Sequence, residues 1–350
     1  MAQIRLANVT KRFGSHAALD DLSLEIADGE FFVLLGPTGA GKTTTLRLIA
    51  GLEKPDAGTI EIGEQDARHW SAAERDVALV FQYYSLYPRY TVRQNLAFPL
   101  KSRVRNYSQA EIDARITRAA KTLRIEHLLE RKTDRLSGGE MQRVSIGRAI
   151  VRDPRAFLMD EPLSNLDAKL REALRAELKE LQMKLRGTFL FVTHDQIEAM
   201  SMGDKVGVLN QGKIVQVGTP NEIYNRPKNT FVASFVGSPT MNLIAAEMSE
   251  RRLVAMSGKL QLPASGQTGQ GTVTIGIRSE DIRVGPQEPF DASVHDIENH
   301  GVEKIVTLRV EGQVFRATVP AALALKIDAP VKFGFNVEKL HCFNAAGERI

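Results

Sequence analysis

The sequence predicts two domains: an α/β domain built on a mainly parallel sheet and, after about residue 236, an all-β domain. In the first part, short apolar runs alternate with segments whose apolar residues recur at helical spacing, which is typical of strands and helices alternating in a parallel sheet. The run Gly237-Ser238-Pro239-Thr240 breaks this pattern, and no long amphipathic helix follows it. At 350 residues the chain is long enough for each domain to bury its own core.

The first elements follow from the periodicity of apolar side chains. Residues 3–9 and 22–26 alternate apolar and polar side chains, as half-buried edge strands do. Residues 31–35 form a continuous apolar run that ends at a glycine, which indicates a strand buried on both faces. A helix is predicted over 42–50, with Gly51 as its stop.

Amphipathic helices are predicted over 107–130, where the apolar positions at helical spacing are Ile112, Ile116, Ala119, Leu123 and Leu128. Two further apolar runs, 156–159 and 189–193, predict buried strands, each followed by polar residues. Between them, residues 168–186 predict a charged helix with leucine at positions 170, 174, 178, 181 and 185.

The second part predicts short strands separated by turn residues. The clearest of these segments are 272–277, 304–310, 314–319 and 330–336. Short strands without intervening helices favour a small barrel.

Composition excludes some classes of function. Hydrophobic residues make up 43% and charged residues 25%, as in ordinary soluble globular proteins. The formal net charge of +4, from 46 basic and 42 acidic residues, is too small and too evenly spread to indicate a nucleic-acid partner. A single cysteine, Cys342, allows no intrachain disulfide and fits a reducing cytosol.

No segment suits a membrane span. The start, Met-Ala-Gln-Ile-Arg-Leu, lacks the apolar core of a signal peptide. The longest apolar stretches, such as 31–35, fall far short of the ~20 residues that a spanning helix needs. Any membrane role is therefore expected to come through partners.

Residues 36–43, Gly-Pro-Thr-Gly-Ala-Gly-Lys-Thr, match the phosphate-binding pattern G-x-x-x-x-G-K-[ST] between a buried strand and a helix start. The alternative is an accidental glycine-rich turn, but both the spacing and the flanking strand and helix favour a phosphate-binding loop. Backbone N–H groups would surround the phosphates, Lys42 would reach the β- and γ-phosphates, and the Thr43 hydroxyl would ligate Mg²⁺. The predicted nucleotide contacts of this loop are Gly36, Pro37, Thr38, Gly39, Ala40, Gly41, Lys42, Thr43 and Thr44.

The pair Asp160-Glu161 follows the predicted strand at 156–159. That strand would deliver Asp160 to its C-terminal edge, where Mg²⁺ needs a carboxylate. Glu161 would orient or deprotonate the attacking water. The alternative, that Glu161 is a loop acid capping the following turn, stays open at this point.

A phosphate loop alone leaves GTPases, kinases, helicases and transport ATPases open. GTPases need an Asn-Lys-x-Asp base reader, and the sequence contains no Asn-Lys pair. Residues 136–143, Leu-Ser-Gly-Gly-Glu-Met-Gln-Arg, resemble the LSGGQ signature of ATP-binding-cassette ATPases, with Glu140 in the fifth place. Ser137, Gly138 and Gly139 would open a helix and form a second anion-binding terminus. The resemblance implies a homodimer in which each signature closes over ATP held by the other subunit.

The remaining motifs occur in the order of that family. Gln82 resembles the Q-loop glutamine, which senses Mg²⁺ and the attacking water, and Ser164-Asn-Leu-Asp167 resembles the D-loop, with Asn165 where alanine is more usual. His194 resembles the switch histidine that contacts the γ-phosphate. Phe13 occupies the place of an aromatic residue that stacks on adenine. Each residue alone has an ordinary structural interpretation, and it is their joint order that favours the family.

The resemblance thus implies three groups of site residues. The catalytic residues would be Glu161, His194 and Gln82. The Mg²⁺ ligands would come from Thr43, Gln82 and Asp160. Besides the phosphate loop, the ATP contacts would come from Phe13, Ser137, Gly138, Gly139, Glu140 and Asp167.

Residues 194–243 and 81–95 are similar to the ATPases of maltose and glycerol-phosphate importers. This resemblance implies an α/β P-loop NTPase cassette domain over 1–236, with a RecA-like core and a helical subdomain at about 83–150. An all-β OB-like transport-associated regulatory domain would follow over 237–350. Residues 276–281 resemble the Gly-x-Arg-Pro-Glu motif of that domain, with serine in the place of proline.

The family implies an ATP-hydrolysing subunit that energises import of sugars, polyols or glycerol-phosphate-type solutes by ATP-driven dimer closure. Its partners would be a second copy, two multi-span permease subunits and an extracytoplasmic solute receptor, and it would lie peripherally on the cytoplasmic face of the inner membrane. Four of the six tyrosines follow the Q-loop, at 83, 84, 87 and 90. They predict an aromatic groove that receives a short helix from each permease, or else packing within the helical subdomain.

Two other functions stay open from the sequence. One is a soluble cassette ATPase of translation or DNA repair, although such proteins usually carry two cassettes or long coiled-coil insertions. The other is a regulator that acts mainly through the C-terminal domain. The solute itself would be selected by the permeases and the receptor.

Overall fold

The computed structural model describes residues 1–102, 106–250, 252–263 and 269–350. Its internal contacts divide it into two units, Met1–Pro220 and Asn221–Ile350. The strands of the first unit are β1 (Ile4–Phe13), β2 (His16–Ile26), β3 (Phe31–Leu35), β4 (Ala57–Ile62), β5 (Gln65–Asp66), β6 (Ala78–Val80), β7 (Phe157–Asp160), β8 (Phe189–Thr193), β9 (Lys205–Asn210) and β10 (Lys213–Gly218). Its helices are α1 (Lys42–Ala50), α2 (Val92–Ala97), α3 (Gln109–Leu123), α4 (Gly138–Ile150), α5 (Ala168–Leu185) and α6 (Gln196–Met202).

A six-stranded sheet in the order β10-β9-β3-β8-β7-β6 forms the centre of the first unit. All neighbouring strands are parallel except β10, which runs antiparallel to β9. Every residue of β3 and β8 is buried, as their continuous apolar runs predict. Because β3, β7 and β8 are parallel neighbours, their C-terminal ends meet at one edge of the sheet.

A second, antiparallel sheet of the first unit has the order β2-β1-β4-β5. Strand β2 lies at its edge, as predicted, but the edge prediction is wrong for β1, which pairs with both β2 and β4. Ile4, Leu6 and Val9 are buried while most residues between them are not. An internal strand of a sheet covered on one face shows the same alternation as an edge strand, so periodicity alone could not distinguish the two.

The helices confirm the predicted apolar stripes. Helix α1 ends at Gly51, which adopts φ 75° as the C-cap. The stripe predicted over 107–130 forms α3 and a short 3₁₀ turn at Glu126–Leu128, because the helix stops at Arg124 in the left-handed region. Helix α5 buries Leu174, Leu178 and Leu181 against the sheet layer.

The second unit is mainly β structure. After α7 (Pro220–Asn225) and α8 (Thr230–Phe235), its strands are β11 (Asn242–Glu250), β12 (Arg252–Ala255), β13 (Leu260–Pro263), β14 (Gly269–Ile277), β15 (Ile282–Val284), β16 (Phe290–Asn299), β17 (Glu303–Val310), β18 (Gln313–Pro320), β19 (Pro330–Phe335) and β20 (His341–Phe343). They form two antiparallel sheets, β13-β12-β11-β14-β20 and β15-β19-β16-β17-β18. The predicted barrel-like β domain is confirmed.

Asn242 links the two sheets of this unit. Its Nδ2 donates to the carbonyls of Ile277, at 3.2 Å, and Arg316, at 3.0 Å, while its Oδ1 accepts from the Arg316 amide at 2.8 Å. One side chain therefore satisfies backbone groups of β14 and β18 at once, which brings the β structure close to a closed barrel.

Arg278 is the buried centre of the segment that departs from the family motif. Its guanidinium donates to the carbonyls of Tyr224, at 2.8 Å, Ala233, at 3.3 Å, and Val236, and it stacks on the Tyr224 ring at 4.0 Å. Burial lowers the pKa of Arg278. Ser279, which replaces the proline, begins a 3₁₀ turn and accepts a hydrogen bond from Thr318 at 2.9 Å, so the turn forms without proline.

Cys342, the only cysteine of the chain, is 3% exposed and carries a free thiol. Burial raises its pKa. Within the described ranges, no helix combines the length and the apolar character needed to cross a bilayer.

Candidate functional site

A cavity of about 550 Å³ opens at the C-terminal edge of the parallel sheet. It gathers most of the residues that the motifs predict: Phe13, Thr38, Gly39, Gly41, Lys42, Thr43, Thr44, Gln82, Asp160, Glu161 and His194 line it. Pro37, Ala40 and Gly36 belong to the same loop but do not line the cavity. His16 and Ala18 also line it, and no motif pointed to them, because they lie at the start of β2, outside every motif.

The phosphate loop runs from β3 to α1 and depends on its glycines. Gly39 and Gly41 have φ of 80° and 107°, a region that other L-residues rarely adopt. A Cβ at Gly41 would also lie 2.5 Å from the Ala18 carbonyl oxygen, so the phosphate loop packs against β2 without room for a side chain at this position. Helix α1 has no acidic residue in its first turn, so its positive end remains suited to an anion.

Lys42 points into this loop. Its ammonium donates to the carbonyls of Gly36, at 2.9 Å, and Pro37, at 3.0 Å, and lies 3.5 Å from Glu161 Oε1. The residue is only 6% exposed. A buried cation beside the open N-terminus of α1 makes the cavity an anion site.

The Thr43 hydroxyl donates to Asp160 Oδ1 at 3.0 Å, which joins the phosphate loop to the end of β7. Burial raises the pKa of Asp160; the Thr43 hydrogen bond opposes that shift, and the neighbouring Glu161 charge adds to it. A hydroxyl and a carboxylate are the oxygen ligands that Mg²⁺ prefers. Among the described residues, no group of three or more Asp, Glu, His or Cys side chains is arranged to hold a metal ion.

The side chains of Glu161 and His194 contact each other in the cavity. Glu161 Oε2 lies 2.8 Å from His194 Nδ1, and the Glu161 backbone adopts φ 43°. The turn that follows is closed through the Glu161 carbonyl, which accepts from the amide and hydroxyl of Ser164. The carboxylate therefore contacts Lys42 and His194 and does not cap the turn, which was the alternative left open by the sequence.

The Q-loop and the D-loop (residues 164–167) contact each other directly. Gln82 Nε2 donates to the Ser164 hydroxyl at 3.1 Å, and Asn165 Nδ2 donates to the Gln82 carbonyl at 2.9 Å. The asparagine that departs from the family pattern thus makes a hydrogen bond that alanine could not make. Asp167 caps α5 by accepting from the Leu170 amide at 2.9 Å.

Phe13 lies at the mouth of the cavity with 48% of its surface exposed. The Lys11 ammonium sits 5.1 Å from the centre of its ring. An exposed aromatic face beside a phosphate loop suits a nucleotide base, which offers its own π-face.

The signature residues lie apart from this cavity. Ser137 caps α4, and a capping box joins it to Glu140: Glu140 Oε2 accepts from the Ser137 amide at 2.7 Å and from its hydroxyl at 2.8 Å. These bonds lower the pKa of Glu140, the Ser137 amide contributing most. Gly139 packs against α5, since a Cβ there would lie 2.8 Å from Leu170 Cδ2. Ser137, Gly138, Gly139, Glu140 and Asp167 do not line the cavity of their own chain.

The tyrosines after the Q-loop divide into exposed and packed positions. Tyr83 is 76% exposed. Tyr87 packs with Tyr90 and Phe98 at ring distances of 5.4 and 4.5 Å, and Arg148 stacks on Tyr87 at 5.0 Å. The aromatic surface is therefore partly held by its own neighbours and partly open to solvent.

A second cavity of about 470 Å³ lies in the second unit, between β15, β16, β19 and the 323–325 loop. Its only charged lining residues are Asp291 and Lys332, which are cross-strand neighbours. It brings together no phosphate loop, nucleophile or acid pair, so the cavity at the parallel sheet is the candidate site.

Comparison with known families matches three segments of the chain. The ABC transporter family matches residues 19–164, the MalK OB fold domain matches 237–282, and the TOBE domain matches 275–343. The order of these matches agrees with a cassette followed by a β domain.

Relatives are similar to this chain along most or all of its length. The trehalose/maltose import ATP-binding protein MalK of Thermococcus litoralis is 46% identical, with 98% of each chain covered. An sn-glycerol-3-phosphate import ATP-binding protein UgpC of Brucella abortus is 48% identical over 100% of this chain and 99% of its own. The xylose/arabinose import ATP-binding protein XacJ of Haloferax volcanii is 47% identical over 88% of this chain and 83% of its own.

Among solved structures, cbiO1 from Clostridium perfringens, part of an ABC transporter complex, aligns with a TM-score of 0.59 and 27% identity over 63% of this chain and 89% of its own. A dimeric ATP-binding cassette in a post-hydrolysis state with ADP and phosphate aligns with a TM-score of 0.55 and 32% identity over 62% of this chain and 98% of its own.

Proposed function

Because the chain belongs to the ABC transporter family, we propose that it is the ATP-hydrolysing subunit of an importer for sugars, polyols or glycerol-phosphate-type solutes. The observation that carries the ATPase activity is the convergence of Lys42, Asp160, Glu161 and His194 on one cavity. The importer class and the solute class rest on whole-length similarity to import ATP-binding proteins.

The active unit is a homodimer. Ser137, Gly138 and Gly139 open a helix N-terminus that suits phosphate, but they lie outside the cavity of their own chain. A second copy would bring its signature, including Glu140 and the D-loop Asp167, to the ATP held by the first. Each chain would then supply half of two sites, and ATP would draw the dimer closed.

Within each site, catalysis depends on positioning and charge neutralisation. Thr43, Asp160 and Gln82 would hold Mg²⁺, which neutralises phosphate charge when bound. Lys42 and backbone N–H groups of the phosphate loop other than Pro37, which has none, would hold the phosphates, and Phe13 would stack on the base. Glu161 would orient the attacking water and accept its proton, and His194 would contact the γ-phosphate.

The membrane partners are two multi-span permease subunits served by an extracytoplasmic solute receptor, and the chain would lie peripherally on the cytoplasmic face. The exposed ring of Tyr83 and the neighbouring cluster of Tyr87, Tyr90 and Phe98 offer an aromatic surface for a short permease helix. ATP-driven closure would be transmitted to the permeases through this surface. In this proposal the ATP-binding cassette domain covers residues 1–236, with its helical subdomain at about 83–150, and the regulatory domain covers residues 237–350.

The test is affinity capture of the tagged full-length chain from detergent-solubilised membranes of its source, with partners identified by mass spectrometry. Recovery of multi-span proteins, reduced by Tyr83→Ala without loss of ATP binding, supports the proposal. Capture of soluble proteins only, by a chain that hydrolyses ATP, would support a soluble cassette ATPase or a regulator instead.

A further inference from the structure

Arg171, in the first turn of α5, belongs to no motif of the sequence, yet it contacts two of the loops at the candidate site. Its Nη2 donates to the carbonyl of Leu166 in the D-loop at 3.0 Å. Its Nη1 lies 3.6 Å from Oδ2 of Asp195, the residue that directly follows His194. One planar guanidinium therefore bridges the D-loop and the histidine loop (residues 193–195).

The histidine loop is anchored on both sides of His194. The Asp195 amide donates to the Thr193 hydroxyl at 2.9 Å, and that hydroxyl donates to Glu198 at 2.6 Å. Asp195 Oδ1 caps α6 by accepting from the Ile197 amide at 2.7 Å. The His194 side chain itself is 55% exposed and makes a polar contact with the Glu161 carboxylate. Its position thus depends on the anchors of the loop more than on its own burial.

Charge makes Arg171 a strong anchor. Glu198 is only 3% exposed, and the neighbouring Asp195, whose side chain is 24% exposed, adds a second negative charge beside it. Burial and, to a smaller extent, the Asp195 charge raise the pKa of Glu198, while the Thr193 hydrogen bond and then the charges of Arg171 and Arg175 oppose the shift. Arg171 Nε is buried without a hydrogen-bond partner among the described residues, so the orientation of the fork depends on Leu166 and Asp195.

The D-loop extends the same network to Gln82. Ser164 and Asn165 hold Gln82 through its side chain and its carbonyl, and Ser164 also bonds the Glu161 carbonyl. Arg171 therefore joins the segment that holds Gln82 to the segment that carries His194. A displacement of either loop would alter the 2.8 Å contact between His194 and Glu161.

We infer that Arg171 is a positioning residue for ATP hydrolysis, which keeps the D-loop and the histidine loop in register so that His194 stays aligned with Glu161. This inference rests on the proposed function, because it assigns a role in the ATPase reaction. Lysine would not fully replace Arg171, since one ammonium lacks the planar fork that reaches two acceptors in different directions.

The test compares Arg171→Gln with the full-length wild type at saturating Mg-ATP. A displacement of about 1 Å at a reacting group can cost on the order of 100-fold, so we expect kcat to fall about 10- to 100-fold. The Kd for ATP should stay within about twofold, because the phosphate loop is not touched. Arg171→Lys should give an intermediate kcat.

The matched control is Lys179→Gln on the same helix, where Lys179 pairs with Asp204 at 2.6 Å away from the site. Its kcat should remain within about twofold of the wild type, since the Lys179–Asp204 pair contacts neither the D-loop nor the histidine loop. Thermal melting of each variant separates loss of folding from loss of alignment, and if Arg171→Gln does not fold, Arg171→Lys and Asp195→Asn carry the same comparison.

A double-mutant cycle with His194→Ala distinguishes a positioning role of Arg171 from a purely structural one, because it measures whether the effect of Arg171→Gln on kcat depends on His194. If Arg171 acts through His194, adding Arg171→Gln to His194→Ala should lower kcat by less than about twofold. A wild-type kcat in Arg171→Gln, or an equal fall in both backgrounds, would overturn the inference. A wild-type chain without ATPase activity, alone and with its membrane subunits, would overturn the proposed function and this inference with it.

Discussion

At the scale of single residues, the charged side chains of the candidate site contact one another or a neighbouring hydroxyl. Lys42 contacts Glu161, Glu161 contacts His194, and Asp160 accepts from Thr43. The backbone of Glu161 adopts a left-handed conformation that is uncommon for glutamate. Such a conformation aims the carboxylate into the cavity while the carbonyl closes the following turn.

Glu161→Gln should abolish most ATP hydrolysis while leaving ATP binding intact, because the amide cannot accept the proton of the attacking water. We expect kcat to fall by about 100-fold or more, and the ATP-bound dimer to persist long enough for detection by size-exclusion chromatography. Glu180→Gln, an exposed acid paired with Lys184, should behave as the wild type. Near-normal turnover of Glu161→Gln would exclude the proposed role.

His341 should make the second unit acid-sensitive. It is 8% exposed with its Nδ1 buried and unpaired among the described residues, and burial together with the charges of Arg349, Arg278 and Lys339 lowers its pKa to about 4. The folded state therefore binds its proton less readily than the unfolded state, whose histidine has a pKa of about 6.5. Stability is retained above pH 6.5 and declines as pH falls towards 4, by at most about 3 kcal/mol.

Chemical denaturation of the wild type and His341→Asn at pH 7, 6, 5 and 4 measures this effect. The variant should show a smaller decline of the unfolding free energy over that interval. His300→Asn, an exposed histidine of the same unit, should keep the wild-type profile. Parallel profiles for the wild type and His341→Asn would contradict the assignment.

At the scale of elements, the segment before the β domain is tied to it by backbone acceptors. Arg278 donates to the carbonyls of Ala233 and Val236 at the C-terminal end of α8 and to that of Tyr224 near the end of α7. The Thr230 amide donates to the Gly347 carbonyl, and the Arg349 amide to that of Lys228. Residues 221–236 therefore satisfy a buried guanidinium that the β domain cannot satisfy alone.

A fragment covering 221–350 should accordingly be more stable than one covering 237–350. Loss of residues 221–236 removes the three carbonyl acceptors and the Tyr224 ring that contact the Arg278 guanidinium, which costs about 2–4 kcal/mol. Urea denaturation of the two fragments measures the difference. Arg278→Met should reduce the difference between the two fragments, because it removes the group that residues 221–236 contact. Equal stabilities of the two unsubstituted fragments would contradict this role of Arg278.

The sequence predicted elements well where local chemistry decides them. Helix α1 is bounded by the phosphate loop and by Gly51 in a left-handed conformation, and both are local signals. The internal place of β1 was missed, because pairing with β4 leaves no trace in the alternation of its own side chains. Arg171 and Glu198 were also missed: a charged residue on a helix resembles any solvated residue until the fold places a carboxylate beside it.

At the scale of the whole molecule, the two units have separate hydrophobic cores. One core is built on β1 to β4, α1 and the parallel sheet, and the other on the two sheets of the β domain. The site residues predicted to bind ATP through the phosphate loop all belong to the first unit. The order of the motifs along the chain does not by itself say that the signature lies outside this cavity; only the resemblance to the family implied it.

Calorimetry of the Glu161→Gln chain should therefore resolve two unfolding transitions, of which Mg-ATP shifts only one. At 100 times its Kd, a ligand that binds only the folded state adds about 2.7 kcal/mol. Adding Lys42→Ala should remove the shift without merging the transitions. A single cooperative transition, or an equal shift of both, would contradict the independence of the two cores.

The chain's only sulfhydryl, Cys342, is enclosed in the β domain, and its raised pKa keeps it protonated and slow to react. The native chain is therefore expected to react little with thiol-directed probes. A cysteine placed at Tyr83 or Glu140 would accept a maleimide dye, a spin label or a cross-linker at one defined point, with no native residue to remove first. Distances between two copies, or from one copy to a permease, could then be followed through the ATP cycle on an otherwise unaltered chain.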